Sequence, residues 1–175
     1  MKHSAFIFIL LIVFWISSST DTLAKSSYVL PYPSVMPGGL SYKVHLIWET
    51  INQYWYFGDF GQFEYNLKQS DKYLVEAKTL FEYEQFLLGV DSLKKSDEYF
   101  KKAPSHLRQA AKNHKDISIK QKELRTASER HVEVLSQMEK IFPEIIHWIP
   151  EKVAPTDLPL HSLLYSSIQI RSNYE

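Results

Sequence analysis

Residues Leu107 to Phe142 read LRQAAKNHKDISIKQKELRTASERHVEVLSQMEKIF, and their spacing assigns the chain to the all-α class. Positions 107, 110, 114, 117, 121, 124, 128, 131, 135, 138 and 142 alternate steps of three and four without a slip. They carry Leu, Ala, His, Ile, Gln, Leu, Ser, His, Leu, Met and Phe. Such a row marks one face of a helix, here over about 36 residues. His114, Gln121, Ser128 and His131 interrupt it, so it is too polar for a self-sufficient coiled coil. The expectation is one long helix, opened by Pro104 and an N-cap at Ser105, ending at Pro143, with its polar middle less buried. A monomer is expected, with a dimer through this helix as the alternative.

Upstream the same periodicity continues. Leu40, Val44, Ile47, Trp48, Ile51, Tyr54 and Trp55 fall on one face of a first helix, and Tyr42, His45, Glu49, Gln53 and Tyr56 on the other. Gly58-Asp59-Phe60-Gly61 is expected to end it, Gly being the residue a C-cap favours. A second helix from about Gln62 to Glu82 would bury Phe63, Leu67, Ser70, Leu74, Ala77 and Phe81. After a turn over Glu82 to Gln85, a third would bury Phe86, Val90, Leu93 and Phe100 and stop near Lys102. The tail is broken by Pro150, Pro155 and Pro159. Its apolar Ile145, Ile146, Trp148 and Ile149 should pack back, and Leu160, Leu163, Leu164 and Ile168 suit a short last helix. No β-hairpin signal is visible. The fold expected is therefore about four main helices in an antiparallel bundle or helical-hairpin array.

The N-terminus sets the compartment. Lys2, a run without polar residues from Ala5 to Ile16, and Thr22-Leu23-Ala24 before Lys25 follow the order of a secretory signal peptide, cleaved between Ala24 and Lys25. The run is shorter than the about 20 apolar residues of a membrane span. An uncleaved signal anchor is the alternative, tethering the protein to the membrane. Residues 25–39 hold Pro31, Pro33 and Pro37, which forbid a helix and favour an extended strap. The organisation expected is a signal peptide over 1–24, a strap over 25–39, a helical domain over 40–143 and a Pro-broken tail over 144–175.

Composition narrows the function. The chain has no Cys, which removes disulfides, thiolate metal sites and cysteine nucleophiles. Twenty basic residues balance twenty acidic ones, against general nucleic-acid affinity. The balance hides an asymmetry: eight acidic and three basic residues between Glu49 and Asp91, eleven basic and five acidic between Lys94 and Arg130. Either an acidic helical pair packs beside a basic helix, or a basic face meets an anionic envelope polymer or lipid headgroup. Five glycines leave no phosphate-cradling loop, and there is no HExxH or GxSxG pattern. His45 and Glu49, four apart, are more simply a surface pair than the start of a metal site. No catalytic, cofactor or metal residue is assigned. The candidate binding surface is the basic row Lys101, Arg108, Lys112, Lys115 and Lys122, with Tyr42 and Tyr56 as rim aromatics of a set otherwise expected in the core.

Three blocks carry a resemblance. VLPYPSVMPGGLSYKVHLIWETI, from Val29 to Ile51, is similar to a YPLPYPGxLPDxPLYxLKxLxDxI motif; Ser70-Asp71-Lys72-Tyr73-Leu74 is similar to an ADKRL block; Ala127 to Leu135 is similar to an ASxKHxEVL block. The chain thus resembles a family of bacterial exported helical domains of unknown function. Ser34, Gly38-Gly39 and Phe60 depart from it, where Gly, an Asp-rich turn and Pro are usual. The resemblance implies an exported all-helical domain and transfers no site. The function expected is a non-enzymatic interaction or scaffold module of the cell envelope, without cofactor. Its partner would be an envelope protein or anionic polymer, with weak membrane-surface contact and no specific nucleic acid. A stress or metal sensor is the alternative, and a hydrolytic enzyme the less favoured one.

Overall fold

The computed structural model describes residues 27–33, 40–149 and 155–174, with the side chains of 40–43, 45, 46 and 50 outside that description. The signal segment, the Ala24–Lys25 cleavage position and the Tyr42 side chain therefore lie outside the described residues. The class is all-α. Among the described residues five helices follow in order: α1 (Leu40–Gln53), α2 (Gly58–Glu82), α3 (Phe86–Lys112), α4 (Ser118–Ile141) and α5 (Leu160–Ser172). Between α4 and α5 lie two three-residue strands, β1 (Ile146–Trp148) and β2 (Thr156–Leu158), paired antiparallel with Ile146 opposite Leu158.

Helices α2 to α5 form an up-down-up-down bundle. Ser70 meets Ser96, and Glu76 meets Ser92, so α2 and α3 run antiparallel. Asp97 and Phe100 of α3 meet Arg171 and Tyr174, so α5 runs parallel to α3. The row read for α2 is buried throughout: Phe63, Leu67, Ser70, Leu74, Ala77 and Phe81 are all at most 2% exposed. Two apolar layers result. One joins Leu74 and Phe81 to Leu93, Leu135, Met138 and Leu164. The other joins Phe63 and Leu67 to Phe100, Leu107, Leu124 and Ala127. Ser70, Ser96, Ser128 and Ser167 lie buried between the two groups, one from each helix.

Several expectations are corrected. The long helix is two. Helix α3 runs through Pro104 to Lys112, and the break falls at 113–117, where His114 takes a left-handed φ of 56°. Proline inside a helix removes one backbone bond and costs about 3 kcal/mol. Here the buried Phe100, Ala103, Leu107 and Ala110 on either side keep α3 continuous. Ser105 is no N-cap; its hydroxyl donates to the Lys102 carbonyl at 2.6 Å. The Asp116 carboxylate instead accepts from the Ser118 N–H (2.9 Å) and hydroxyl (2.6 Å) at the start of α4. The polar middle of the seam is not uniformly exposed: His114 and Gln121 are exposed, but Ser128 and His131 are fully buried. A 36-residue seam for dimerisation therefore does not exist as one helix. Gly58 does not cap α1, which ends at Gln53; at φ 71° it opens α2 four residues earlier than Gln62. The small β-ladder is a further departure, with Ile145 and Ile149 left exposed.

Helix α1 reverses its expected orientation. Val44, Ile47, Trp48, Ile51, Tyr54 and Trp55 are exposed, whereas Glu49 from the polar side is buried. Glu49 explains this. Its carboxylate accepts from Lys72 Nζ at 2.5 Å and from the Tyr73 hydroxyl at 3.3 Å. Those partners sit on a ladder of rings in which Tyr73 stacks on Tyr99, and Tyr99 meets Tyr65 edge-on. Helices α2 to α5, with Ile146 and Leu158 of the β-ladder, supply both apolar layers; among the described side chains α1 meets them through Glu49, and the four-helix set shifts to include α5. The strap residues Tyr28 and Leu30 each pack on a different layer.

Candidate anion-binding groove

Two of the polar positions that interrupted the sequence pattern, Ser128 and His131, come together at one level of the bundle. Arg171 of α5 is fully buried, and every nitrogen of its guanidinium is used. Nη1 donates to Asp97 Oδ1 (2.5 Å) and to the Ser167 carbonyl (2.9 Å), Nη2 to Ser96 Oγ (2.8 Å), and Nε to His131 Nδ1 (2.9 Å). Since Nδ1 accepts, Nε2 carries the ring proton and donates to Asp71 Oδ1 at 2.7 Å. The Tyr28 hydroxyl donates to the other Asp71 oxygen at 2.6 Å. Burial, and next the nearby Arg171 charge, hold the His131 imidazole below its ordinary pKa against the opposing hydrogen bond to Asp71. Burial also raises the Tyr28 phenol, and the Asp71 carboxylate adds to that rise. These groups satisfy one another inside the bundle, so the constellation is suited to fixing helix register rather than to meeting a substrate.

The basic row does not form one stripe. Lys101, Arg108 and Lys112 are exposed on α3, Lys115 lies in the following turn, and Lys122 is exposed on α4. Lys115 Nζ pairs with Asp59 Oδ2 at 3.1 Å, and Asn113 donates to the same oxygen. These bonds, that from Lys115 first, hold the Asp59 carboxyl below its usual range. Lys101 borders a separate shallow groove beside Leu163 and Ile170 of α5. Tyr56, half-buried, packs its ring 5.4 Å from Tyr65 and serves the α1–α2 connection. Acidic residues facing from α2 are engaged elsewhere: Glu64 with Lys120 at 2.7 Å, Glu82 with Lys78, and Glu76 with Ser92.

Arg108 and Lys122 do converge. They border a groove of about 780 Å³ between the C-terminal half of α3, the N-terminal half of α4 and the end of α5. Arg125, absent from the sequence reading, is a third cation there; its spacing of three from Lys122 on one helix face was the available signal. Leu107 and Leu124, each 4% exposed, form the floor with Tyr174, and the same two leucines belong to the second apolar layer. Among the described residues Glu129 is the one acidic lining residue, and it faces Arg125 at 3.3 Å in an exposed pair of small worth. Among the described residues Arg108 and Lys122 have no carboxylate partner within ion-pair distance.

Among the described residues no three His, Asp or Glu side chains gather as a cation cage. No described helix is long and apolar enough to cross a membrane. No protein-family profile, curated protein or solved structure matches the chain.

Proposed function

We propose that this chain is an exported, non-enzymatic helical binding module of the cell envelope, and that it engages anionic groups through Arg108, Lys122 and Arg125. The observation that carries the reading is the convergence of three cations on one concave surface with, among the described residues, a single carboxylate. Arg suits this role because its planar fork of donors matches a carboxylate or phosphate, while Lys adds a point charge. Export rests on the order of charged, apolar and small residues in the first 24 positions.

The test is retention on dextran sulfate. The protein should bind at low ionic strength and release near 0.15 M salt, where exposed charges are screened over about 8 Å. Changing Arg108, Lys122 and Arg125 together to Gln should abolish retention, while changing Lys101, Lys112 and Lys115 should weaken it less. Equal retention of both triple variants would reject the groove as the binding surface.

A further inference from the structure

We infer that the groove takes a single-chain amphipathic anion: one hydrocarbon chain ending in a phosphate or carboxylate, held as a monomer rather than within a bilayer. This rests on the reading of the groove as an anion site and adds the chemistry of its occupant.

A purely electrostatic surface has no need of an apolar floor. This one has Leu107, Leu124 and Tyr174 at its base, with Arg108, Lys122 and Arg125 around it. Its volume, about 780 Å³, lies within the roughly 300–1,000 Å³ typical of sites that enclose a small molecule. Three other concavities among the described residues are 240 to 300 Å³. Shape separates the sources of such a ligand. A bilayer surface is flat, and the two leucines are each 4% exposed inside a cleft between three helices. A membrane cannot follow the protein surface down to them; a detached chain can. The arrangement matches an anion whose charge stays at the rim while its chain lies along the apolar lining of Leu107, Ile117, Leu124 and Tyr174. Each methylene buried contributes about 0.8 kcal/mol, so two or three already give more than a tenfold gain in affinity.

The experiment compares dodecyl phosphate, kept below its micelle-forming concentration, with inorganic phosphate and with dodecanol, by calorimetry on the exported protein. Dodecyl phosphate should bind at least about tenfold more tightly than either. Arg108→Gln with Lys122→Gln should lower that affinity about tenfold or more. Gln121→Trp replaces neither a cation nor a core residue; its bulk at an exposed lining position should fill the space for the alkyl chain and remove the preference for it, with retention on dextran sulfate kept. Circular dichroism of each variant checks that the helices persist. Equal binding of inorganic and dodecyl phosphate would overturn the chain subsite and leave the anion-binding reading standing. Binding to phosphatidylglycerol vesicles without binding to monomeric dodecyl phosphate would overturn the monomer assignment in favour of a bilayer. Failure to bind dodecyl phosphate, inorganic phosphate or dextran sulfate would overturn both readings.

Discussion

Arg171 is a charged side chain with no exposure to solvent. A buried guanidinium loses its hydration, and here burial lowers its pKa while Asp97 opposes the shift. Removing one partner of a buried charge pair costs about 3–5 kcal/mol, because the other is left uncompensated. Arg171→Ala strands Asp97 and takes the donor from His131 Nδ1, so urea denaturation should show a loss of about that size. A loss below about 1 kcal/mol would place the charge pair among the weak surface kind. His131 adds a pH dependence. Unfolded, it takes up its proton near pH 6.5; buried among Asp71 of α2, Asp97 of α3 and Arg171 of α5, it does so at lower pH. Below pH 6.5 the unfolded chain therefore binds the extra proton and the folded one does not. Stability from this residue is complete above that pH and is lost as pH falls through it. The unfolding midpoint should drop between about pH 7 and pH 5, and His131→Gln, whose amide accepts from Arg171 and donates to Asp71, should flatten the drop. Equal slopes for the two proteins would remove His131 as its source.

Close packing between α2 and α3 gives a test of the hairpin. A Cβ on Gly89 would stand 2.7 Å from Cδ1 and Cε1 of Phe81, whose ring is fully buried. Gly to Ala ordinarily favours a helix by about 1 kcal/mol. Overpacking a core costs about 1–3 kcal/mol, and Phe81 is wedged against Phe86 and Phe142. Gly89→Ala should thus lower the thermal midpoint; an increase would show that the ring yields freely. How far such elements were legible depended on what their side chains meet. Helix α2 has a nearly uniform apolar row, so its buried face was readable residue by residue. The Leu107–Phe142 seam kept its phase across a break, because His114 enters the left-handed region without the Gly or Pro that would mark it. Helix α1 misled for a different reason: periodicity gives a helix two faces, but the Lys72–Glu49 ion pair chooses which of them turns inward.

Export makes its own prediction for the whole protein. N-terminal sequencing of secreted material should begin at Lys25, and recovery of the full-length chain in the membrane would instead favour the anchor. The groove was half legible before the structure. Arg108 and Lys122 stood out as cations on helices, but their meeting depends on where α3 stops and α4 turns back, which the sequence did not mark. The fate of Lys115 and Lys101 was equally hidden, since their surroundings come from Asp59 and α5. The place of Arg171 in the bundle has a consequence in time. It orders His131 from forty residues further along the chain, and Asp97 from seventy-four. A nascent chain carrying α2, α3 and α4 can pair Asp71 with His131, but has nothing to bridge that pair to Asp97. Closure must wait for the last described helix to be made. On the export proposed above, that delay would leave the chain unlocked while it crosses the membrane, with the last link made on the far side.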